Sequence, residues 1–411
     1  MPTSILSTKL YIPPARPNGV DRPRLTERMD EAMHGKLTLI SAPAGFGKTT
    51  LAVSWINGQE RPTAWLSLAP EESDPARFLA YLIAALQTVA PAVGDGLADA
   101  LQPQQPPPEV VLTALINDLA DIPHPFILVL DDYHVVDAKP VDAILTFLLA
   151  HQPPQMHLII TTREDPQLPL ARLRARGQLT EIRAADLRFT VDEATQVLSQ
   201  LTGLTLTGQE VDALEARTEG WIAGLQLAAL SMQGRDDVHS FIDAFTGDHR
   251  YIVDYLVDEV LAQQPAPVRD FLLQTCILER LTGPLCDAVT EQADGVAMLE
   301  ALERANLFVT PLDDRRRWFR YHHLFAEVLR AHLQVENPEV IPQLHRRAAA
   351  WCAQNQQPGD AIRHALAAED FDHVATLLER AWLHMDRNRQ GAVWLAWAKH
   401  CPMICSFIAR C

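Results

Sequence analysis

The sequence predicts an α/β domain with a parallel five-stranded sheet, followed by an all-α helical domain, a winged-helix domain and the start of a helical-repeat arm. Three observations lead to this fold class. Between about residues 37 and 184, short apolar runs alternate with helical segments, which is typical of parallel strands covered by helices on both faces. After about residue 190 the strand signals almost vanish. The 411 residues also exceed what one core normally holds.

The elements of the α/β region follow from apolar runs and helix-capping residues. Strands are predicted at residues 37–41, 63–68, 126–130, 158–162 and 179–183. Helices are predicted at residues 51–58, 75–90, 109–121 and 140–150. Asp74-Pro75 marks one helix start, because Asp is a good N-cap and Pro suits the first helical position.

The rest of the chain is mostly helical. Thr190-Val-Asp-Glu193 is a capping box that opens one helix, and further helices are predicted at 208–218 and 220–232. Four helices, at 250–263, 267–276, 283–291 and 296–305, precede two short strands at 307–311 and 318–321 and a helix from 322. Helices closed by a hairpin indicate a winged helix. The helices and turns of 339–384 suit a tetratricopeptide-like repeat.

Composition limits the function classes. Apolar residues make up 48% of the chain and charged residues 21%, a balance that favours folded domains over disorder. With 35 Lys and Arg against 52 Asp and Glu, the net charge of −17 disfavours nucleic-acid binding by the chain as a whole. Residues 1–20 lack a signal-peptide pattern, and the charge-free stretch 78–94 indicates a buried helix. We therefore expect a cytoplasmic protein with no membrane partner.

A phosphate-binding motif follows the first predicted strand. Ala42-Pro-Ala-Gly-Phe-Gly-Lys-Thr-Thr50 connects that strand to a helix, as in P-loop nucleotide-binding proteins. Gly45 and Gly47 let backbone N–H groups turn towards phosphates, Lys48 neutralises the β- and γ-phosphates, and the Thr49 hydroxyl ligates Mg²⁺. Ala42 stands where the pattern begins with Gly, so its backbone angle must tolerate a Cβ.

An acidic pair supplies the second element of such a site. The apolar strand 126–130 delivers Asp131 and Asp132 at its carboxyl end, where a carboxylate can hold Mg²⁺ beside the phosphates. A solvated turn would explain Asp132 better than Asp131. Hydrolysis also needs a carboxylate that polarises water. Because no Glu follows Asp131, the shorter Asp132 is the candidate, and slow ATP turnover is expected.

Arginines follow the next predicted strand. Arg163 comes directly after residues 158–162, where its guanidinium could sense the γ-phosphate. Taken alone, an Arg at a strand end is more often solvated or ion-paired. Arg172, Arg174 and Arg176 share a helix at two-residue spacing, so a surface or subunit-facing role is favoured over catalysis.

Five ordered motifs resemble those of one family. They are Ser41-Ala-Pro-Ala-Gly-Phe-Gly-Lys-Thr-Thr50, Leu130-Asp-Asp-Tyr-His134, Ile160-Thr-Thr-Arg163, Thr218-Glu-Gly-Trp-Ile-Ala-Gly-Leu-Gln-Leu227 and Phe319-Arg-Tyr-His-His-Leu-Phe325. Together they resemble the MalT-type branch of the STAND ATPases, which are large LuxR-type ATP-dependent transcriptional activators. The resemblance covers about residues 5–400, and an Ala-Pro start of the phosphate loop is usual in that branch.

The resemblance implies a switch that binds ATP or ADP with Mg²⁺. Such proteins are closed and ADP-bound at rest, and an inducer on the arm together with ATP opens them and drives self-association. DNA is bound by a C-terminal helix-turn-helix domain. The implied domains are a nucleotide-binding P-loop domain at 1–188, a helical domain at 189–247, a winged helix at 248–334 and the start of the arm at 335–398.

The resemblance also implies roles for individual residues. Asp131 corresponds to the Mg²⁺ carboxylate, Arg163 to the sensor, and His322 to a winged-helix histidine that contacts the β-phosphate of ADP. Arg22 begins a segment that resembles the one bordering adenine, whereas Gln226 replaces a proline that usually contacts adenine. The implied phosphate-loop residues are Pro43, Ala44, Gly45, Phe46, Gly47, Lys48, Thr49 and Thr50.

Two other functions remain open on the sequence alone. One is a constitutive P-loop ATPase whose hydrolysis does steady work. The other is DNA binding by the winged helix through Arg315-Arg-Arg317, although Asp313-Asp314 adjoins these arginines and the net charge is −17.

Residues 399–411 depart from the family pattern. Cys401, Cys405 and Cys411 fall there, but no CxxC pair supports a metal site. No helix-turn-helix domain follows, and one permitted codon choice, read in a shifted frame, restores an arm-like sequence. We therefore expect this tail to follow a frameshift in a longer gene. An arm cut after one or two hairpins would leave Trp382, Trp394 and Trp397 on an open apolar face and favour association.

Overall fold

The computed structural model describes residues 5–15, 19–95, 97, 108–136, 138–232, 238–245, 247 and 249–387. These residues group into two compact units. The first lies within Met1–Ala244 and includes Arg304–Asn306, and the second lies within Phe245–Glu303 and Leu307–Cys411. The tail 399–411 lies outside the described residues, as do Trp394, Trp397 and the side chain of Trp382.

A parallel five-stranded sheet forms the centre of the first unit, which confirms the predicted fold class. The strands are β1 Leu37–Ser41, β2 Thr63–Ser67, β3 Phe126–Asp131, β4 Met156–Thr162 and β5 Leu179–Arg183. Their order across the sheet is β2-β3-β4-β1-β5. Each strand lies within two residues of its predicted bounds, because β1, β3 and β4 are buried along their whole length and such strands show as continuous apolar runs.

The strand order determines which side chains meet at the carboxyl edge of the sheet. β4 lies between β1 and β3, with Ser41 paired to Thr162 in β1–β4 and Leu130 paired to Ile160 in β3–β4. The loop after β1 and the acidic end of β3 are therefore separated by one strand. The last residues of β4 lie between them.

Helices surround this sheet and continue into an all-helical region. They are α1 Pro23–Ala32, α2 Lys48–Asn57, α3 Pro75–Gln87, α4 Pro108–Ala120, α5 Ala138–His151, α6 Leu170–Ala175, α7 Ala184–Leu187, α8 Val191–Thr202, α9 Gly208–Thr218, α10 Ile222–Met232 and α11 Val238–Ala244. Both predicted caps are confirmed, because Asp74 accepts a hydrogen bond from the Arg77 N–H and Thr190 accepts one from the Glu193 N–H. Single-turn 3₁₀ helices lie at Ser7–Leu10, Pro70–Ser73 and Tyr133–Val135.

The start of α2 corrects one prediction. The helix begins at Lys48, three residues before the predicted start at 51. Gly47, with φ of 80°, lies in the left-handed region immediately before it, so the chain changes direction within one residue. The glycine turn thus places the N-terminus of α2 directly at the phosphate loop.

In the part of the second unit that the structure describes, four α-helices precede a hairpin and four follow it. Its helices are α12 Arg250–Leu256, α13 Ala266–Thr275, α14 Gly283–Thr290, α15 Gly295–Arg304, α16 His323–Glu336, α17 Ile341–Gln354, α18 Pro358–Ala367 and α19 Phe371–Arg387, with α15 ending at the first unit's Arg304. A π-helical turn, Val257–Leu261, continues α12. The hairpin strands β6 Val309–Pro311 and β7 Phe319–Tyr321 are antiparallel. None of the described helices is both long and apolar enough to cross a bilayer.

A buried ion pair joins the start of α1 to α8. The Arg22 side chain is 9% exposed and donates to the Glu193 carboxylate, with Nε 3.2 Å from Oε2. It also donates to the carbonyls of Leu187 and Arg188, at 2.9 and 2.8 Å, and stacks on the Phe189 ring at 4.1 Å. The Arg22 guanidinium therefore holds the helical region in place. Its predicted place beside adenine is not tested by these contacts.

Removing Glu193 should therefore destabilise the first unit. In Glu193→Ala the buried Arg22 loses its carboxylate, and α8 loses the capping-box bond that this carboxylate accepts from the Thr190 N–H. The free energy of unfolding should therefore fall by about 3 to 5 kcal/mol. Urea unfolding followed by circular dichroism measures this loss. The matched control is Arg174→Ala, which breaks an ion pair with Glu181 whose arginine side chain is 55% exposed and should cost under about 1 kcal/mol. Equal losses in the two variants would contradict the assignment.

Candidate functional site

The Lys48 side chain lies buried at the start of α2, with 7% of its surface exposed. Its Nζ donates to the carbonyls of Ala42 and Pro43, at 2.9 and 3.0 Å. Burial lowers the pKa of Lys48 to about 8. The negative charge of Asp132 opposes this shift, whereas the positive charge of Arg163 adds to it. The ammonium is therefore mostly charged at neutral pH, and it lies inside the loop where an anion would be bound.

The backbone of the phosphate loop has the conformation that the motif requires. Gly45 and Gly47 have φ angles of 74° and 80°, a region that residues with a Cβ rarely adopt. Ala42 is not among the described non-glycine residues with positive φ, and its N–H donates to the Thr162 carbonyl of β4 at 3.3 Å. An alanine at this position is therefore compatible with the loop.

The outer side of the loop contacts the beginning of α10. The Trp221 indole Nε1 donates to the Ala44 carbonyl at 3.0 Å, and the Ala223 N–H donates to the Gly45 carbonyl at 3.2 Å. These contacts were not predicted. Trp221 belongs to one of the five motifs, but no sequence signal showed that this motif reaches the phosphate loop.

Asp131 lies at the carboxyl end of β3 and is 4% exposed. Its Oδ1 accepts hydrogen bonds from the Thr49 hydroxyl at 2.8 Å and from the Thr161 hydroxyl at 2.6 Å. The Thr161 Oγ1 in turn accepts from the Asp132 N–H at 3.0 Å. Burial raises the pKa of Asp131, while the Thr161 bond opposes this effect. The structure thus brings together the predicted Thr49–Asp131 pair and adds Thr161.

Asp132 is more exposed than Asp131, and its charge acts on the Lys48 ammonium. Its φ is 57° and its side chain is 49% exposed, with Oδ1 3.9 Å from the Nδ1 of His134. Burial lowers the pKa of His134 to about 3, and the positive charges of Arg163 and Lys48 lower it further. The imidazole is therefore neutral at physiological pH. Sequence reasoning gave His134 no role, although the motif contained it.

Arg163 lies immediately after β4, close enough for its charge to lower the pKa values of Lys48 and His134. Its carbonyl accepts a hydrogen bond from the Asn306 side-chain amide at 2.9 Å, and the same Nδ2 lies 3.0 Å from the Ser41 Oγ. Asn306 is one of the three residues, Arg304–Asn306, that group with the first unit. Its place near the end of β1 was not predicted, because more than 260 residues separate it from Ser41.

The two candidate histidines of the second unit differ in exposure. His322 is 3% exposed, precedes α16 as its N-cap and contacts the Phe308 ring edge-on at 5.7 Å between centroids. The His323 side chain is 57% exposed and lies 3.5 Å from Glu327 Oε1. Of the two, His322 is therefore the buried one. A contact of His322 with nucleotide stays a prediction.

The arginines proposed for DNA contact lie at the surface of the second unit. Arg315, Arg316 and Arg317 are all exposed. Arg316 forms an ion pair with Glu303 at 3.3 Å, and the Arg317 N–H donates to Asp313 Oδ1 at 2.9 Å. The Glu303 carboxylate thus pairs with one of the three arginines, and DNA binding through this turn stays a prediction.

The chemistry of the first-unit cluster fits a nucleotide phosphate with Mg²⁺. A buried ammonium, loop N–H groups and a helix N-terminus suit phosphate oxygens, and a hydroxyl beside a carboxylate offers the oxygen ligands that Mg²⁺ prefers. No group of three or more His, Cys, Asp or Glu in the described part of the chain could hold a metal.

Two known domain families match separate segments of the chain. Residues 21–161 match the AAA ATPase domain family, and residues 257–341 match the MalT winged helix domain family. The second match confirms the predicted winged helix. The Walker-type ATPase PABY2304 of Pyrococcus abyssi has a similar fold, with a TM-score of 0.53 and 18% identity over 77% of this chain and 97% of its own.

Curated relatives align with almost the whole chain. The HTH-type transcriptional regulator MalT of Klebsiella pneumoniae is 37% identical over 395 residues, 94% of this chain and 43% of its own length. The serine/threonine-protein kinase PknK of Mycobacterium tuberculosis is 34% identical over 95% of this chain and 36% of its own length. The chain thus spans less than half the length of these relatives. The matched domains and the alignments confirm the resemblance to MalT, and the chain belongs to the MalT-like P-loop ATPases.

Proposed function

We propose that this chain is the nucleotide-controlled switch of a transcriptional regulator, which binds ATP or ADP with Mg²⁺ and hydrolyses ATP slowly. One observation carries the proposal. The buried Lys48 ammonium lies inside the loop, beside a Thr49–Asp131 pair whose atoms are 2.8 Å apart. Phosphate would replace the loop carbonyls as the partner of Lys48, and the Thr49 hydroxyl oxygen and the Asp131 carboxylate would hold Mg²⁺.

The groups available for hydrolysis suit slow turnover. A general base must lie within hydrogen-bond reach of the attacking water, and Asp132 has a short side chain that is 49% exposed. The imidazole of His134, which lies near Asp132, is neutral at physiological pH. Arg163, at the end of β4, is the proposed sensor of the γ-phosphate. A slow chemical step would let the bound nucleotide persist long enough to set a conformational state.

The wider switching cycle extends this proposal. ADP would hold the closed state with help from His322, and ATP with an inducer bound to the arm would favour an open state that self-associates. The names of the MalT relatives describe HTH-type transcriptional regulators. Contact with DNA would accordingly be made by a helix-turn-helix region. The alternative is a constitutive ATPase, which would share the site but turn over rapidly without inducer.

Turnover measurements distinguish the switch from the constitutive enzyme. We expect the wild-type chain to hydrolyse ATP more slowly than about one per second without inducer, near or below the low end of typical enzymes. Asp132→Asn should lower this rate by about 100- to 10,000-fold because it removes the proposed base, with little change in ADP affinity. Phosphate release gives the rate and calorimetry gives the affinity. Steady wild-type hydrolysis well above one per second would contradict the switch.

The pH dependence of ADP binding tests the role of Lys48. Only the charged ammonium attracts phosphate, and its pKa in the free chain is about 8. Bound phosphate would raise this pKa, so binding takes up a proton above pH 8 and ADP affinity should fall about tenfold between pH 7 and pH 9. Calorimetry without Mg²⁺ measures the change. The control Lys48→Arg keeps its positive charge over this pH range. Its remaining ADP affinity should therefore not fall between pH 7 and pH 9. A wild-type affinity independent of pH would exclude this role.

Thr161→Val tests the support of Asp131. Loss of the hydroxyl removes a hydrogen bond to the Asp131 carboxylate, and such outer-shell partners are worth about 10- to 100-fold in metal affinity. We expect that loss for Mg²⁺ in the ATP complex, whereas Mg²⁺-free ADP binding should persist. Mg²⁺ titration of the ATP complex measures it. Thr162→Val is the matched control, since this neighbouring buried hydroxyl bonds the Glu164 carbonyl. Equal effects at both positions would argue against the assignment.

A further inference from the structure

The Trp221 side chain is fully buried between the phosphate loop and the start of α10. Two glycines allow this placement. A Cβ on Gly220, which has φ of 69°, would lie 2.6 Å from the Phe189 carbonyl oxygen, and a Cβ on Gly224 would lie 2.7 Å from the Trp221 ring. The backbone before Trp221 and the space beside its ring are therefore both restricted. This restriction fixes the direction in which the indole N–H points.

The carbonyl groups of the phosphate loop fall into two sets. Those of Ala42 and Pro43 accept hydrogen bonds from the Lys48 ammonium, and so they face the inside of the loop. Those of Ala44 and Gly45 accept from the Trp221 indole and the Ala223 N–H, and so they face α10. The change of direction occurs between the Pro43 and Ala44 carbonyls, and Gly45, with its left-handed backbone, lies between the two carbonyls that face α10.

Peptide geometry converts these outward carbonyls into inward donors. In a trans peptide the C=O of one residue and the N–H of the next point in opposite directions, and the described residues contain no cis peptide. Holding the Ala44 carbonyl towards Trp221 therefore directs the Gly45 N–H away from α10. Holding the Gly45 carbonyl towards Ala223 does the same for the Phe46 N–H. Both N–H groups are then directed to the side of the loop on which Lys48 lies.

We infer that Trp221 is a positioning residue for phosphate binding, which acts through the Ala44 carbonyl to aim the loop N–H groups at the nucleotide. Trp221 does not itself touch the phosphates. This inference rests on the proposed function, because it requires that a nucleotide diphosphate binds at the loop. It also makes coupling reciprocal: if the α10 contact improves phosphate binding, bound phosphate stabilises the α10 contact by the same factor. Trp221 would thus report the state of the site to the helical region.

Trp221→Phe tests the inference, because it keeps an aromatic ring but removes the indole N–H. Without the indole N–H the Ala44 carbonyl is no longer held towards α10, so the Gly45 N–H is no longer aimed at the phosphates and ADP should bind about 5- to 50-fold more weakly. AMP lacks the β-phosphate and offers fewer oxygens to the loop N–H groups, so its affinity should fall less than that of ADP. Calorimetry with ADP and with AMP gives both constants, and thermal unfolding of the ligand-free variant shows whether it folds.

Trp55→Phe is the matched control. Trp55 is a buried tryptophan of the same unit, and its indole N–H donates to Asp30 Oδ1 at 2.7 Å, towards the end of α2 opposite the phosphate loop. This variant should bind ADP as the wild type does. An equal loss of ADP affinity in both variants, or equal losses for ADP and AMP in Trp221→Phe, would indicate a purely structural role and overturn the inference.

Hydrogen exchange of the wild-type chain supplies a test that needs no variant. Saturating ADP should slow amide exchange in the segment 218–227, which contains Ala223, because ligand and contact stabilise each other. Unchanged exchange there would overturn the inference. Failure of the wild-type chain to bind ADP would overturn the proposed function together with this inference. Equal ADP binding by wild type and Trp221→Phe would overturn this inference alone.

Discussion

The burial of one ammonium group, that of Lys48, is the constraint on which the rest of the site depends. A buried charge is costly unless it is paired or hydrogen-bonded. Here two loop carbonyls accept from it and two aspartates lie near it. The loop must therefore turn its first carbonyls inward and its next ones outward. Lys48 itself holds the first carbonyls inward through its hydrogen bonds. Donors at the start of α10 hold the next carbonyls outward.

The sheet order places the remaining groups. Because β4 lies between β1 and β3, Thr161 near its end lies beside the acidic strand. Thr161 donates to Asp131 and accepts from the Asp132 N–H, while Thr49 at the start of α2 donates to Asp131 directly. Arg163 then emerges beside the same edge. The two cations, Lys48 and Arg163, are balanced by the two aspartates, so the site concentrates opposite charges while the chain as a whole carries −17.

Local patterns made most of the fold and the centre of the site predictable. The strands show as apolar runs, the caps as Asp74 and Thr190, and the phosphate loop as glycines followed by Lys48. Relations that depend on strand order or on distant segments were not predictable. The sequence holds no local sign that Thr161 faces Asp131, that Arg22 pairs with Glu193 across 171 residues, or that Trp221 reaches Ala44 across 177. Each of these contacts is created by tertiary packing.

The two sets of loop contacts would respond differently to a phosphate. Oxygens of a bound nucleotide compete with the Ala42 and Pro43 carbonyls for the Lys48 ammonium, since all three are acceptors for the same donor. They do not compete for the donors of Trp221 and Ala223, which lie on the other side of the loop. Nucleotide exchange would therefore rearrange the inner contacts while the outer ones persist. A loop held in this way can lose and regain phosphate without losing its shape, and because the outer donors belong to α10, that shape is maintained by the helical region.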